Sequence, residues 1–236
     1  MPAQAGVELD QALDLLKRGQ FPEAVVAAQK AVAAEPGSTQ ARLTLAQAAE
    51  AAGDIRLAGL TYAKAVELEP SNAEISLAAG DFLVRQGELA MADQFYILAF
   101  EAASDKLVPL RRKAAALTAQ AAMGRKEVAV ELPIAAWEAV LKDPQCGPED
   151  FYGLADCCLL PPYDTARLDK CQQSIEQGRA RWPDSGLLMY ALARLDVRRF
   201  KSDQALAHYK RAVQLGLPAL ENRLAIEQIK LLEAAR

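Results

Sequence analysis

Gly19, Gly53 and Gly87 stand 34 residues apart, Ala24, Ala58 and Ala92 follow in step with them, and so do Ala31, Ala65 and Ala99. Pro36 and Pro70 keep the same interval, and Ser104 stands where a third proline would fall. Several residue types recurring in register at one period mark an array whose units are too small to bury their own apolar faces, so neighbours must stack. Composition says what the units are made of. Alanine recurs in almost every block of ten, aromatic residues are only 6% and hydrophobic residues 52% of the chain, a balance that favours closely packed helices over a sheet sandwich.

The second unit, Thr39 to Asn72, carries Leu45, Ala46, Gly53, Ala58, Tyr62, Ala65 and Pro70. The first, about Ala5 to Ser38, keeps Ala12, Leu15, Gly19, Phe21, Ala24, Ala31 and Pro36, and the third, about Ala73 to Lys106, keeps Gly80, Leu83, Gly87, Ala92, Tyr96 and Ala99. In this order and spacing the chain resembles the tetratricopeptide repeat (TPR) family. The resemblance implies an all-α fold, a right-handed superhelical solenoid of antiparallel helix pairs. Each residue type has a physical reason: alanine lets the two helices of a repeat approach, large residues fill the space between repeats, glycine turns the chain and proline closes the second helix.

Beyond Lys106 the pattern loosens. Leu110 to Met123 and Glu127 to Leu141 read as an alanine-rich helix pair, with Pro133 near the start of the second helix and Pro144 ending it, a degenerate fourth repeat over 107–144. A fifth repeat, 148–185, shows Phe151, Leu154, Ala155 and Cys158, then Cys171, Ile175, Gly178 and Pro183, provided that Pro161, Pro162, Tyr163 and Asp164 form an inserted loop. The sixth, 186–218, shows Leu192, Ala193, Ala205, Tyr209 and Ala212. A last helix, 219–236, places Leu220, Leu224, Ile229 and Leu232 on one face and reads as a cap on the open end of the array. The expectation is a single domain over 1–236 with five to six repeats.

A net charge of −4 provides no basic excess for nucleic acid, and no apolar run is long enough to span a membrane. Met1 to Asp10 lacks the pattern of a secretory leader, so a bacterial cytoplasmic protein is expected, with the periplasm as the alternative if a leader has been removed. His208 is the one histidine, and no phosphate-binding loop, dinucleotide fingerprint or zincin motif is present. The expectation is therefore no catalytic residues, no metal site and no cofactor. Cys146, Cys157, Cys158 and Cys171 lie in one stretch without paired CxxC spacing. They read first as small core residues, and alternatively as a redox or metal-responsive cluster built on Cys157, Cys158 and Cys171.

The resemblance also implies a concave groove lined by the first helix of each repeat. Its lining positions fall here on Leu9, Leu13, Leu43, Gln47, Leu77, Asp81, Arg111, Arg112, Tyr152, Asp156, Tyr190 and Arg194. Spaced apolar anchors with polar groups between suit a protein or peptide partner, an amphipathic helix or an extended segment. The positions at which some family members hold a chaperone's acidic tail are occupied by Leu9, Leu13, Thr44, Glu74 and Ala78, which lack the lysine, asparagine and arginine of that clamp. A non-catalytic scaffold or adaptor is the function these features imply. Self-association through the terminal helix or an exposed repeat is the structural alternative.

Overall fold

The computed structural model of the protein describes residues 2–126 and 128–235. Among the described residues all regular elements are α-helices, thirteen of them. They gather into two compact units, Met1–Pro109 and Leu110–Arg236.

The first unit holds three helix pairs: α1 (Pro2–Lys17) with α2 (Phe21–Ala34), α3 (Thr39–Ala51) with α4 (Ile55–Leu68), and α5 (Ala73–Gln86) with α6 (Leu89–Ala102). The pairs stack through α2 on α3 and α4 on α5. Caps set several helix starts: Ser38, Asp54 and Asn72 each accept a hydrogen bond from a first-turn backbone N–H, worth about 1 kcal/mol apiece. The 34-residue glycines make the turns within pairs. Gly53 sits at φ 82°, its N–H donating to the Glu50 carbonyl (3.0 Å) while Asp54 N–H donates to that of Ala49 (2.8 Å), a left-handed helix end that a Cβ disfavours.

Close approach within a pair depends on a small residue facing a tyrosine. A Cβ placed on Gly80 would lie 3.2 Å from the Tyr96 ring, and Ala46 shares its core with Tyr62 in the pair before. Between pairs the contact is aromatic and polar: Tyr62 meets Phe82 at 5.1 Å, and Glu50 accepts from Arg85 (2.6 and 2.9 Å) and from the Tyr62 hydroxyl (3.1 Å).

Helix α7 (Leu107–Ala122) begins in the first unit and ends in the second. The second unit continues with α8 (Glu131–Val140), α9 (Pro148–Cys158), α10 (Thr165–Arg181), α11 (Gly186–Arg198), α12 (Ser202–Leu215) and α13 (Ala219–Ala234). The helix expected over 127–141 is shorter than anticipated; its Glu127 lies outside the described residues, and Pro133 falls in the first turn of α8, where a missing N–H costs nothing. The expected insertion is the α9–α10 loop. Arg167 holds it by donating to the carbonyls of Pro162 and Leu160, and Asp164 caps α10 through Arg167 N–H at 2.8 Å.

Two findings depart from the sequence reading. Leu220 and Leu224 do not share a face with Ile229 and Leu232: Ile229 and Leu232 pack with Ala225 on the α11–α12 core, while Leu220 and Leu224 are 53% and 37% exposed. At 100° per residue, Ile229 points about 140° away from Leu224, so one stripe cannot hold all four. The second departure is Phe200, at φ 59° in the α11–α12 turn and 93% exposed. Its hydrogen bonds repeat those of the glycine turns, Phe200 N–H to Val197 (3.1 Å) and Lys201 N–H to Asp196 (2.9 Å). Holding a residue with a Cβ in that conformation costs about 1–2 kcal/mol.

Gly186 opens α11 where a Cβ would lie 2.0 Å from the Gly216 carbonyl oxygen, a backbone atom that cannot rotate away. Gly186→Ala is therefore expected to destabilise the protein by about 3 kcal/mol in urea unfolding, whereas Gly37→Ala, with open space around the new methyl, is expected to change stability by less than about 0.5 kcal/mol.

Candidate partner-binding cleft

Four of the residues expected in the groove meet in the second unit. Tyr152 and Asp156 project from α9, Tyr190 and Arg194 from α11, and together they line a cleft of about 500 Å³. Val197 and Arg198 continue the α11 wall, Tyr209 of α12 joins them, and Leu220, Glu221, Leu224 and Gln228 of α13 complete the lining. The terminal helix is thus both the cover of the last pair and a wall of the cleft. Amphipathicity alone pointed to the first role. The second was signalled by Leu220 and Leu224 recurring four residues apart on the face opposite Ile229.

The aromatic floor is continuous: Tyr152 meets Tyr190 at 6.2 Å, and Tyr190 meets Tyr209 at 5.7 Å with the rings tilted by 59°. Tyr190 and Tyr209 are 4% and 2% exposed, so each offers little more than a ring edge and hydroxyl. Among the described residues none of the three hydroxyls finds a hydrogen-bond partner, although Tyr62 and Tyr96, elsewhere in the chain, donate to Glu50 and Asp81. Burial raises the hydroxyl pKa of Tyr152 and Tyr190, and pushes that of Tyr209 up to about 12, so all three remain neutral donors. Burial opposes the charge on Arg194, but the Asp156 carboxylate beside it outweighs that cost and holds the guanidinium protonated. Arg194 also lies 5.8 Å from the Tyr190 ring centre. The cleft therefore offers tyrosine edges and neutral hydroxyls, an ion pair and two leucines.

The other groove candidates lie elsewhere. Leu77 is buried beneath a polar cleft of about 520 Å³ in the first unit that Glu69, Asn72, Glu74 and Asp105 also line. Leu9, Leu13 and Leu43 are half-buried, Leu43 against the core of the second and third pairs, while Gln47 is exposed and Asp81 accepts from Tyr96 at 2.6 Å. Arg112 is half-buried on α7. Arg111 serves the fold: its guanidinium makes two bonds to Asp150, at 2.7 and 2.6 Å, and a third to Glu149 at 3.1 Å. Asp150 is 1% exposed and also accepts from Gly147 N–H at 2.7 Å, so the pair ties α7 to the start of α9.

The cysteines pack as small core residues. All four are buried free thiols, and three have a polar neighbour: Cys157 lies by Thr118 (3.0 Å), Cys171 by the Ala155 carbonyl (3.7 Å), and Cys146 by Arg181 (3.1 Å). Burial pushes the thiols of Cys157 and Cys171 up to about 12 and that of Cys158 up to about 11, which disfavours the thiolate that redox or metal chemistry would use. His208, which the sequence left without a role, holds Asp196 of α11 at 2.7 Å from α12.

The tetratricopeptide repeat family model matches residues 9–68 and 43–96. No curated protein sequence matches the chain. Among solved structures, a tetratricopeptide repeat protein from Parabacteroides merdae is similar at 12% identity and TM-score 0.56, covering 97% of this chain and 84% of that one. A structure described as PilF of Pseudomonas aeruginosa is similar at 19% identity and TM-score 0.57, covering 99% and 98%. The C-terminal part of a TPR-repeat protein from Cytophaga hutchinsonii is similar at 14% identity and TM-score 0.59, covering 97% and 96%. At these identities the likeness is one of fold: a TPR-type helical solenoid. Among the described residues no helix is long and apolar enough to cross a membrane.

Two measurements check this account. Arg111→Ala leaves the buried Asp150 carboxylate without its counter-charge and is expected to cost about 2–3 kcal/mol, part of which the added change Asp150→Asn restores. Because the folded thiols titrate above the ordinary value of 9, the folded state holds protons that the unfolded chain releases, so stability is complete below pH 9 and falls as pH rises toward 11–12. Urea titrations from pH 8 to 11 are expected to show that fall, and to show it shallower in Cys157→Ala.

Proposed function

We propose that these tetratricopeptide repeats form a non-catalytic adaptor that binds a segment of another protein in the cleft between α9, α11 and α13. The observation that carries this reading is the cleft lining itself: three neutral tyrosine hydroxyls without partners beside exposed Leu220 and Leu224. Hydroxyls that open on the cleft can bond a ligand without breaking a bond within the fold, and large apolar side chains gain by leaving water, so such a lining is suited to a ligand. A protein segment supplies both needs, apolar side chains for the leucines and ring edges, and backbone carbonyls and N–H groups for the hydroxyls. The match to the tetratricopeptide repeat model, a resemblance that implies protein interaction, supports the class of function.

A second reading has an observation of its own. Helix α6 exposes Met91, Ile97, Leu98 and Phe100 along one element, more apolar surface than a helix facing only water requires. Such a surface suits self-association. A molecular mass constant from about 1 to 100 μM in sedimentation equilibrium would remove this reading.

The cleft is tested by photo-crosslinking. A benzophenone side chain at position 224 is expected to crosslink a protein partner in extracts of the source organism, and the same group at exposed position 60 is not. Leu220→Glu, which places an unpaired charge in the cleft, is expected to reduce the position-224 crosslink at least tenfold without shifting the unfolding midpoint. Equal labelling from both positions would show that the cleft is not the site.

A further inference from the structure

We propose that Phe200, two residues after the cleft-lining Arg198 in sequence, is the anchoring end of this cleft, and that it takes a partner-protein segment presenting an acidic side chain next to a large apolar one. The inference rests on the cleft reading above and adds the chemistry of the segment.

Among the described residues five helix ends share one turn. Gly19, Gly53, Gly87 and Gly124 occupy its left-handed position in four of them, at φ 70° to 82°, and each closes with the same pair of backbone hydrogen bonds. In the fifth that position is Phe200. Glycine would adopt the conformation without strain, whereas phenylalanine is held there against its steric preference. Strain of this kind is ordinarily offset by packing. Phe200 has almost none, because 93% of it faces solvent. The fold thus carries the conformational cost of an aromatic residue and gains no burial from it, and the gain must come from something that covers the ring.

The neighbouring charges define what that is. Arg194 is neutralised by Asp156, and Arg199 by Asp169 at 2.7 Å. Among the described residues Arg198, which lines the cleft and lies between them in sequence, has no carboxylate partner; its guanidinium lies over the Tyr163 ring, 4.8 Å from the centre. Lys201, exposed on the other side of Phe200, adds a second positive charge. A carboxylate can pair with Arg198 while the adjoining apolar side chain covers Phe200. Tyr163 belongs to the loop that interrupts the fifth repeat, so the insertion has a use: it supplies the ring over which Arg198 lies.

The probe is a phage-displayed library of random 12-residue peptides selected on the full chain, with affinities of the selected peptides measured by fluorescence anisotropy. Selected sequences are expected to carry Asp or Glu within two positions of Phe, Tyr, Trp or Leu. Phe200→Gly is expected to weaken their binding at least tenfold while raising Tm by about 2 °C, since the strain is relieved; a residue that served only the fold would not lower affinity and raise stability together. Arg198→Glu is expected to exchange the preference for acidic residues for a basic one. Unchanged affinity in Phe200→Gly, a fall in its Tm, or selected peptides without acidic residues would overturn the inference. If Leu224→Glu abolishes binding and Phe200→Gly does not, this inference fails and the cleft stands; if neither matters, both fail. A dimer of this chain that Phe200→Gly dissociates would assign the surface to a second copy and overturn the proposal as well.

Discussion

The structure depends on one steric relation, a small residue on the first helix of a pair facing a tyrosine on the second. Gly80 with Tyr96 shows it most directly, since a methyl on Gly80 would already meet the ring at 3.2 Å. Ala46 with Tyr62 and Ala193 with Tyr209 are cores of the same kind. The small residue lets the helices close to ridge-and-groove distance, and the tyrosine is long enough to reach across to the next layer. Stacking follows, because a two-helix unit packed this tightly still leaves an apolar face that only a neighbour can cover.

The cleft grows from the same relation. Tyr209 is the packing tyrosine of the last pair, yet its ring continues through Tyr190 to Tyr152 and forms the floor of the cleft. Core and site are therefore one aromatic layer seen from two sides. The polar groups divide by burial. Arg194 and Asp156 neutralise one another in a half-buried setting where neither would be stable alone, while Arg198 at the rim can stay unpaired because water reaches it.

The second half of the chain holds its irregular helices by means other than the repeat pattern. The Arg111–Asp150 pair anchors α7 to α9, Arg167 ties the proline loop by its carbonyls, and His208 meets Asp196 across the last pair. The first joins helices 39 residues apart in sequence, the second is local to the loop, and the third crosses between the two helices of one pair. The thiols fill the space between these contacts as small apolar groups would.

By itself the sequence determined the helix pairs, because the features that make them are local and periodic: glycine at the left-handed turn, alanine at the close approach, proline after the second helix. It also determined that Tyr152, Asp156, Tyr190 and Arg194 fall on corresponding positions of successive first helices. Only the tertiary structure decided which of the twelve groove positions come together, since Leu77 is buried and Arg111 is engaged by Asp150, 39 residues away. It likewise decided that α13 turns Leu220 and Leu224 into the cleft rather than into the core, for the rotation of a helix is set by what it packs against and not by its own apolar count. Phe200 belongs to both. Its place in the turn can be read by aligning it with the glycines, but its positive φ and its exposure are properties of a chain already folded.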